Sequence, residues 1–265
     1  MTLPYPFKSG DRTISSATFK NPTAGVLADA RKCAENGDVY QALLAYVAGS
    51  VSSLIDSQGG EIEGKEPVKA ALRGLPWALA EWIAFQSMIS LGASDEVDME
   101  FTCPRCGASF YRDEDLVRIS ELKMARAETV PEILVPLSDP VMFKDSQTGE
   151  VTESVTDIAF RLPTIGDCIR AAGKAGQQDD TRLQFAVWAE AITEINGNPI
   201  DQKWRGPFGT LTFERMAIAD MRAVGKAFGA WSMDNTVDSS CRKCGKQYRA
   251  EVPTGSFFAS ALRGA

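Results

Sequence analysis

Hydrophobic and polar positions alternate with a period of two near the start of the chain and again in its second half. The first alternating stretch covers residues 7–19 around a polar turn at 8–11, and the second covers residues 143–160 around a turn at 145–149. Alternation interrupted by a short polar turn is typical of a β-hairpin. Each half of the chain is therefore predicted to begin with a hairpin.

Apolar residues with helical spacing follow each hairpin. A Pro-Thr step ends the second strand in both places, because the residue before proline is held extended and threonine is a good helix N-cap. Thr23 and Thr164 are therefore predicted to begin the first helices, and the Thr164-x-x-Asp167 spacing resembles a capping box. The pattern predicts second helices at 38–56 and 179–194, third helices at 76–91 and 211–231, and a further helix at 113–126.

The two halves share sequence as well as pattern. Phe-(Lys/Arg)-x-Pro-Thr-x-Gly occurs at 19–25 and 160–166, and Cys-x-x-Cys-Gly occurs at 103–107 and 241–245. Phe19 precedes Cys103 by 84 residues, and Phe160 precedes Cys241 by 81. We expect an α+β fold made by tandem duplication of one module, containing a β-hairpin, about three helices and a zinc knuckle, with a pseudo-twofold relation. Two unrelated hairpins with a coincidental knuckle are the alternative.

Three prolines interrupt the helical pattern between the copies, at 131, 136 and 140. They place the first repeat, with its Cys-Pro-Arg-Cys-Gly knuckle, at residues 1–127. The second repeat, with its Cys-Arg-Lys-Cys-Gly knuckle, is placed at residues 128–265.

Composition narrows the possible chemistry. The 265 residues are 44% hydrophobic with a net charge of −7, which disfavours broad binding to a phosphate backbone. We see no run long enough for a membrane span, no secretory signal, no phosphate loop and no nucleotide fingerprint. The chain contains no histidine, which excludes Ser-His, Cys-His and His-zinc enzymes. We therefore expect no enzymatic activity, no membrane contact and no small-molecule ligand.

The cysteines point to a metal site. Without an export signal the thiols should remain reduced, and a Cys-x-x-Cys pair then favours metal over a disulfide. Each knuckle supplies only two of the four ligands that structural zinc takes, and no histidine can complete the set. The four knuckle cysteines are therefore predicted to share one zinc ion: Cys103, Cys106, Cys241 and Cys244. A metal-free pair, a redox motif and an open catalytic zinc remain alternatives.

Other candidate residues have simpler expectations. Arg105, Arg242 and Lys243 lie inside the knuckle turns, where they are either solvated or in contact with phosphate. Cys33 and Cys168 are expected to be buried, reduced thiols on helices. The five tryptophans are expected to be core or interface anchors.

Residues 81–122 resemble the baseplate-hub and tail-assembly proteins of contractile-tailed (T-even-like) bacteriophages. The likeness is carried by a helix with Glu-Trp-Ile-Ala-Phe at 81–85, a Ser-x-Gly step at 90–92, a strand entering the knuckle at 103–107, and the acidic segment after it. The opening hairpin at 3–23 is similar to the N-terminus of phage tail-assembly proteins. The second copy departs from the pattern because Arg242 replaces the proline and no acidic segment follows.

This resemblance implies a non-enzymatic role in the tail hub or baseplate, with other phage tail or baseplate proteins as partners. The location would be the virion, or the host cytoplasm during assembly. The alternative hypothesis is a zinc-ribbon protein that binds nucleic acid, which the net charge disfavours.

Overall fold

The protein has a mixed α+β fold with antiparallel sheets. The computed structural model describes residues 1–90, 96–119, 121, 127–144, 148–175, 180–200, 204, 207–234 and 236–251. Every strand pair among the described residues is antiparallel. None of the described helices is long and apolar enough to cross a membrane.

The first half contains a four-stranded sheet, helices that pack against it, and the first knuckle hairpin. Its strands are β1 Thr2–Ser9, β2 Arg12–Phe19, β3 Val51–Asp56, β4 Glu61–Glu63, β5 Glu96–Thr102 and β6 Ser109–Asp115. Its helices are α1 Ala24–Glu35, α2 Val39–Ser50, α3 Lys65–Leu72, α4 Trp77–Ser90 and α5 Leu116–Ile119.

The second half contains the same kinds of element. Its strands are β7 Glu132–Lys144, β8 Val151–Arg161, β9 Ile192–Ile195, β10 Asn198–Pro199, β11 Thr236–Ser240 and β12 Gln247–Glu251. Its helices are α6 Ile165–Ala175, α7 Asp180–Ala191, α8 Pro207–Arg215 and α9 Ile218–Gly229.

The two large sheets have the same strand order. The first is ordered β1-β2-β3-β4, and the second is β7-β8-β9-β10 when read from its long outer strand. Each sheet is followed by two helices and a two-stranded knuckle hairpin, β5-β6 or β11-β12. The pairs α2 and α7, β3 and β9, and α4 and α9 each begin 141 residues apart.

The predicted hairpins and helix caps are confirmed. The Thr23 hydroxyl accepts a hydrogen bond from the Val26 amide at 3.4 Å. The Thr164 hydroxyl accepts from the Asp167 amide at 3.2 Å, and the Asp167 carboxylate accepts from the Thr164 amide at 2.8 Å. The Thr-x-x-Asp sequence is therefore a reciprocal capping box.

The predicted second helices are too long at their C-terminal ends. Residues 51–56 and 192–195 form β3 and β9, each of which follows its helix without a connecting loop. Val51 is extended, with φ −105° and ψ 128°, and it pairs with Phe19 of β2. The buried apolar residues of these segments are spaced three apart, Val51 with Leu54 and Ile192 with Ile195, so their periodicity does not separate helix from strand. Asp179 lies outside the described residues.

The predicted third helix of the second half is wrong in its extent. Residues 207–229 form two helices, α8 and α9, which are separated at Met216 and Ala217. The equivalent break in the first half contains Gly74 and Pro76, whereas no glycine or proline marks this one. In the first half, α4 matches the helix predicted at 76–91, of which Leu91 lies outside the described residues. The preceding helix, α3, was not predicted.

The helix predicted at 113–126 is mostly absent from the described part of that segment. Residues 113–115 continue strand β6 and pair with residues 96–98 of β5, and α5 is a single turn. Aspartate and glutamate are uncommon in strands, so pairing with β5 overrides their local preference here. Residues 120 and 122–126 lie outside the described residues.

Backbone hydrogen bonds join the two halves where α4 and α6 begin. The Trp77 amide donates to Pro163, the Ile165 amide donates to Leu75, and the Gly166 amide donates to Arg73, each at 2.9 Å. One hydrophobic core cluster includes residues from both halves, among them Phe7, Ile83 and Phe160. The halves therefore pack directly against each other.

A buried ion cluster fixes the start of α6. The Asp167 side chain is fully buried and accepts hydrogen bonds from both Arg161 and Arg170, and Arg170 also pairs with Glu190 at 3.0 Å. Burial alone would favour the neutral acid, but the hydrogen bonds and charge of Arg161 hold the pKa of Asp167 below its ordinary value. The ionised carboxylate therefore stabilises the fold at neutral pH.

We predict that Asp167→Asn lowers the free energy of unfolding by about 2 kcal/mol at pH 7, because the paired arginines lose their buried partner. A depressed folded-state pKa gives stability above the ordinary aspartate value of about 3.9 that is lost as the pH falls below it. The difference in free energy of unfolding between Asp167→Asn and the wild type should therefore be smaller at pH 3 than at pH 7, as measured by urea unfolding. The exposed Asp29→Asn is the control, and equal stability of the two variants at pH 7 would contradict the prediction.

Candidate metal centre

The two knuckles are loops at the ends of matching hairpins. In the first, β5 and β6 pair up to Thr102 and Ser109, and the loop 103–108 connects them. In the second, β11 and β12 pair up to Ser240 and Gln247, and the loop 241–246 connects them. Both loops therefore begin with a cysteine that leaves the end of a strand.

The two loops have the same backbone geometry. The amides of Cys103 and Cys241 donate to the carbonyls of Ala108 and Lys246, each at 2.9 Å. The glycine after each second cysteine has a positive φ, 65° at Gly107 and 67° at Gly245, and its amide donates back to the first cysteine of the loop. A residue with a side chain is strained in that conformation, so glycine is required at this position.

Four sulfur atoms converge between these loops. The Sγ atoms of Cys103 and Cys244 lie 3.8 Å apart, and those of Cys106 and Cys241 lie 3.6 Å apart. All four sulfurs lie within 4.8 Å of one another. The first cysteine of each knuckle is next to the second cysteine of the other, so this pairing is symmetric under exchange of the two halves.

The spacing fits a tetrahedral metal site. Four thiolates at a Zn–S distance of 2.3 Å would be separated by about 3.8 Å. A disulfide has its sulfurs about 2.05 Å apart, and all six cysteines are free thiols here. The four-cysteine cluster is therefore compatible with one zinc ion, and this donor set would also accept other thiophilic metals.

Contacts around the loops hold the hairpins together. The Arg112 guanidinium donates to the Asp238 carbonyl at 2.6 Å, and Arg118 donates to the Thr236 carbonyl at 3.2 Å. Phe101 is 3% exposed and stacks on Phe110, with ring centroids 6.1 Å apart. Charge-assisted and apolar contacts thus position the cysteines in addition to any metal.

The pKa values of two of these thiols are shifted in opposite directions. Hydrogen bonds from the backbone amides of Cys244 and then Lys243 lower the pKa of the Cys241 thiol to about 6. The amide of Ala108 acts in the same direction on Cys106, but burial and the neighbouring sulfurs outweigh it and raise the pKa of that thiol to about 11. The Cys241 thiol therefore ionises more readily than the Cys106 thiol.

The remaining cysteines lie apart from this cluster. Cys168 is buried on α6, and burial raises the pKa of its thiol, as expected for a buried, reduced cysteine. Cys33 lies on α1 but is only half-buried, which corrects the expectation that it would be buried. Its helix packs on α2 through a face on which Ala30 is the fully buried residue.

The structure also contains features that the sequence did not indicate. The ion cluster around Asp167 depends on Arg161 and Glu190, which come from different elements. An aromatic cleft forms from tryptophans that are far apart in sequence. No short motif marks either feature, because the ion cluster joins β8, α6 and α7 within the second half and the cleft joins the two halves.

Comparison with known proteins gives no further assignment. No model of a known protein family matches the chain, and neither a curated protein nor a solved structure does.

We predict that the purified chain binds one zinc ion and that native mass spectrometry detects it. Cys241→Ser should weaken zinc binding more than about 100-fold, which exceeds the usual effect of changing a residue that only supports a ligand. Replacing zinc with cobalt(II) should give the visible absorption of tetrahedral thiolate coordination.

Cys33→Ser is the matched control, because it removes a thiol outside the cluster and should retain one zinc per chain. Wild-type protein without metal after expression in zinc-containing medium would contradict the prediction. Two zinc ions in a dimer would instead indicate knuckles exchanged between chains.

Proposed function

We propose that the protein is a non-enzymatic structural or assembly component of a contractile phage tail or baseplate, stapled by a four-cysteine zinc site shared between its two halves. The observation that supports it most is the convergence of four sulfurs from two distant knuckles. A site with four protein ligands has no open position for a substrate, which is typical of structural zinc.

The zinc site would act as a clamp between the halves. Cys106 and Cys241 are 135 positions apart, so one ion would close a very long loop. Closing such a loop removes conformational freedom from the unfolded chain, and metal binding contributes directly to folding. A rigid adaptor that contacts several proteins benefits from such a constraint.

We also propose that the two halves arose by tandem duplication, with repeats at 1–127 and 128–265. The equal strand order of the two sheets and the offset of 141 residues that several pairs of elements share support this origin. The matching knuckle loops support it independently, because their hydrogen bonds and glycine conformations coincide.

The phage assignment rests on the resemblance of residues 81–122 and of the opening hairpin to tail-assembly proteins. It implies other tail or baseplate proteins as partners, in the virion or in the host cytoplasm during assembly. The two halves share one hydrophobic core, which suits an adaptor that joins such partners.

We predict that affinity-tagged protein recovers tail or baseplate proteins from infected cells. The Cys106→Ser, Cys244→Ser double variant should recover several-fold less, because the clamp would lose one ligand from each knuckle. Quantitative mass spectrometry of the recovered proteins is the measurement, with Cys33→Ser as control. Recovery of no tail protein by the wild type would refute the assignment.

Nucleic-acid binding is the second candidate. Arg105, Arg242 and Lys243 are exposed at the knuckle tips, where they would be able to reach a phosphate backbone. This function predicts affinity for single- or double-stranded DNA or RNA that falls steeply with salt. Titrations that show no binding at low salt would remove this candidate and leave the structural role unaffected.

A further inference from the structure

A cleft of about 740 Å³ lies between the two halves of the molecule. The first half contributes the start of α2 and of α4, and the second contributes α7 and the end of α9. This volume lies within the range of sites that enclose ligands, and such sites often form where two structural units meet. The cleft is separate from the cysteine cluster, since no knuckle cysteine lines it.

Aromatic side chains form much of its wall. Trp77, Trp188, Trp231 and Tyr40 all line the cleft. The Tyr40 and Trp77 rings are 5.0 Å apart in an edge-to-face arrangement, and Trp77 and Trp231 are only half-buried. Indole rings that remain accessible can attract a cation to their faces.

A carboxylate supplies negative charge within the same cleft. Glu81 lines it from α4, yet the residue is only 8% exposed. Its charge is felt by nearby groups, because it adds to the effect of burial in raising the pKa of both Tyr5 and Cys168. No described lining residue of the cleft is lysine or arginine. Glu81 is the one described lining residue with a formal charge, so the charge that the described lining contributes is negative.

We propose that this cleft binds an arginine side chain presented by a segment of a partner protein. A planar guanidinium can stack on an indole face and pair with a carboxylate at the same time, which suits this combination of residues better than a compact ammonium does. The open volume accommodates the residues that flank the arginine. The inference goes beyond the proposed structural role and does not depend on the phage assignment.

The test uses the full-length, zinc-loaded chain and the peptide acetyl-Gly-Arg-Gly-amide. The matched peptide carries citrulline, which has the shape of arginine without its charge. We expect the arginine peptide to bind about tenfold more tightly. Indole N–H signals of Trp77 and Trp231 in NMR titrations give a readout that is specific to the cleft.

Glu81→Gln should abolish the difference between the two peptides, because it removes the charge and retains the shape. Glu61→Gln is the control, since it makes the same charge change on the exposed strand β4 and should preserve the difference. If Glu81→Gln does not fold, Trp77→Phe provides the second test and should weaken binding of the arginine peptide several-fold.

Three results would overturn the proposal. They are equal affinity for the arginine and citrulline peptides, indole signals that do not shift with the arginine peptide, and tighter binding of tetramethylammonium than of the peptide. The last result would identify a site for small organic cations instead. Failure of peptide binding would leave the co-purification test of the structural role unchanged, so the two proposals fail separately.

Discussion

The approach of four thiols from two distant segments of the chain is the constraint on which the architecture depends. The sulfurs lie within 4.8 Å of one another, although the two knuckles are more than 130 residues apart. Four thiolates at that distance repel strongly, and a divalent cation converts the repulsion into attraction. The loops are built to make this approach, since each directs its first cysteine with the same backbone hydrogen bonds. A metal ion bound by these sulfurs would therefore couple its affinity to the packing of the two halves.

The sequence predicted the features that depend on local backbone chemistry. Thr23 and Thr164 cap helices because a threonine hydroxyl satisfies an exposed amide, and Gly107 and Gly245 mark turns because only glycine adopts positive φ without strain. The convergence of the four knuckle cysteines on one site also followed from a count of ligands. Each knuckle supplies two ligands and the chain has no histidine, which leaves few ways to complete a tetrahedral site. These inferences need a residue type and a spacing, and both are readable along the chain.

The parts of the fold that the sequence did not predict depend on contacts between distant segments. Val51 and Ile192 continue an apolar pattern that is compatible with helix, and the free edge of a neighbouring hairpin decides that they become strand. Residues 113–115 are acidic and poor strand formers, yet their pairing with β5 overrides that preference. The break between α8 and α9 has no proline or glycine, so it becomes visible only when both helices are packed. Likewise, the residues that line the aromatic cleft come from several separate segments of the sequence.

The two halves share an arrangement of helices and strands but differ in the residues at equivalent surface positions. The sulfur pairs exchange with one another when the halves are exchanged, whereas the contact between Pro76 and Thr164 joins positions that do not correspond. By the offset of 141 residues, Glu81 of the cleft corresponds to the exposed Arg222, and Trp77 corresponds to Ile218, which is 65% exposed. The glutamate and the tryptophan that α4 contributes to the cleft are thus not repeated in α9, while hairpins, caps and knuckles are common to both halves. Equivalent residues bring the four sulfurs together between the halves, while other positions differ and make the cleft asymmetric.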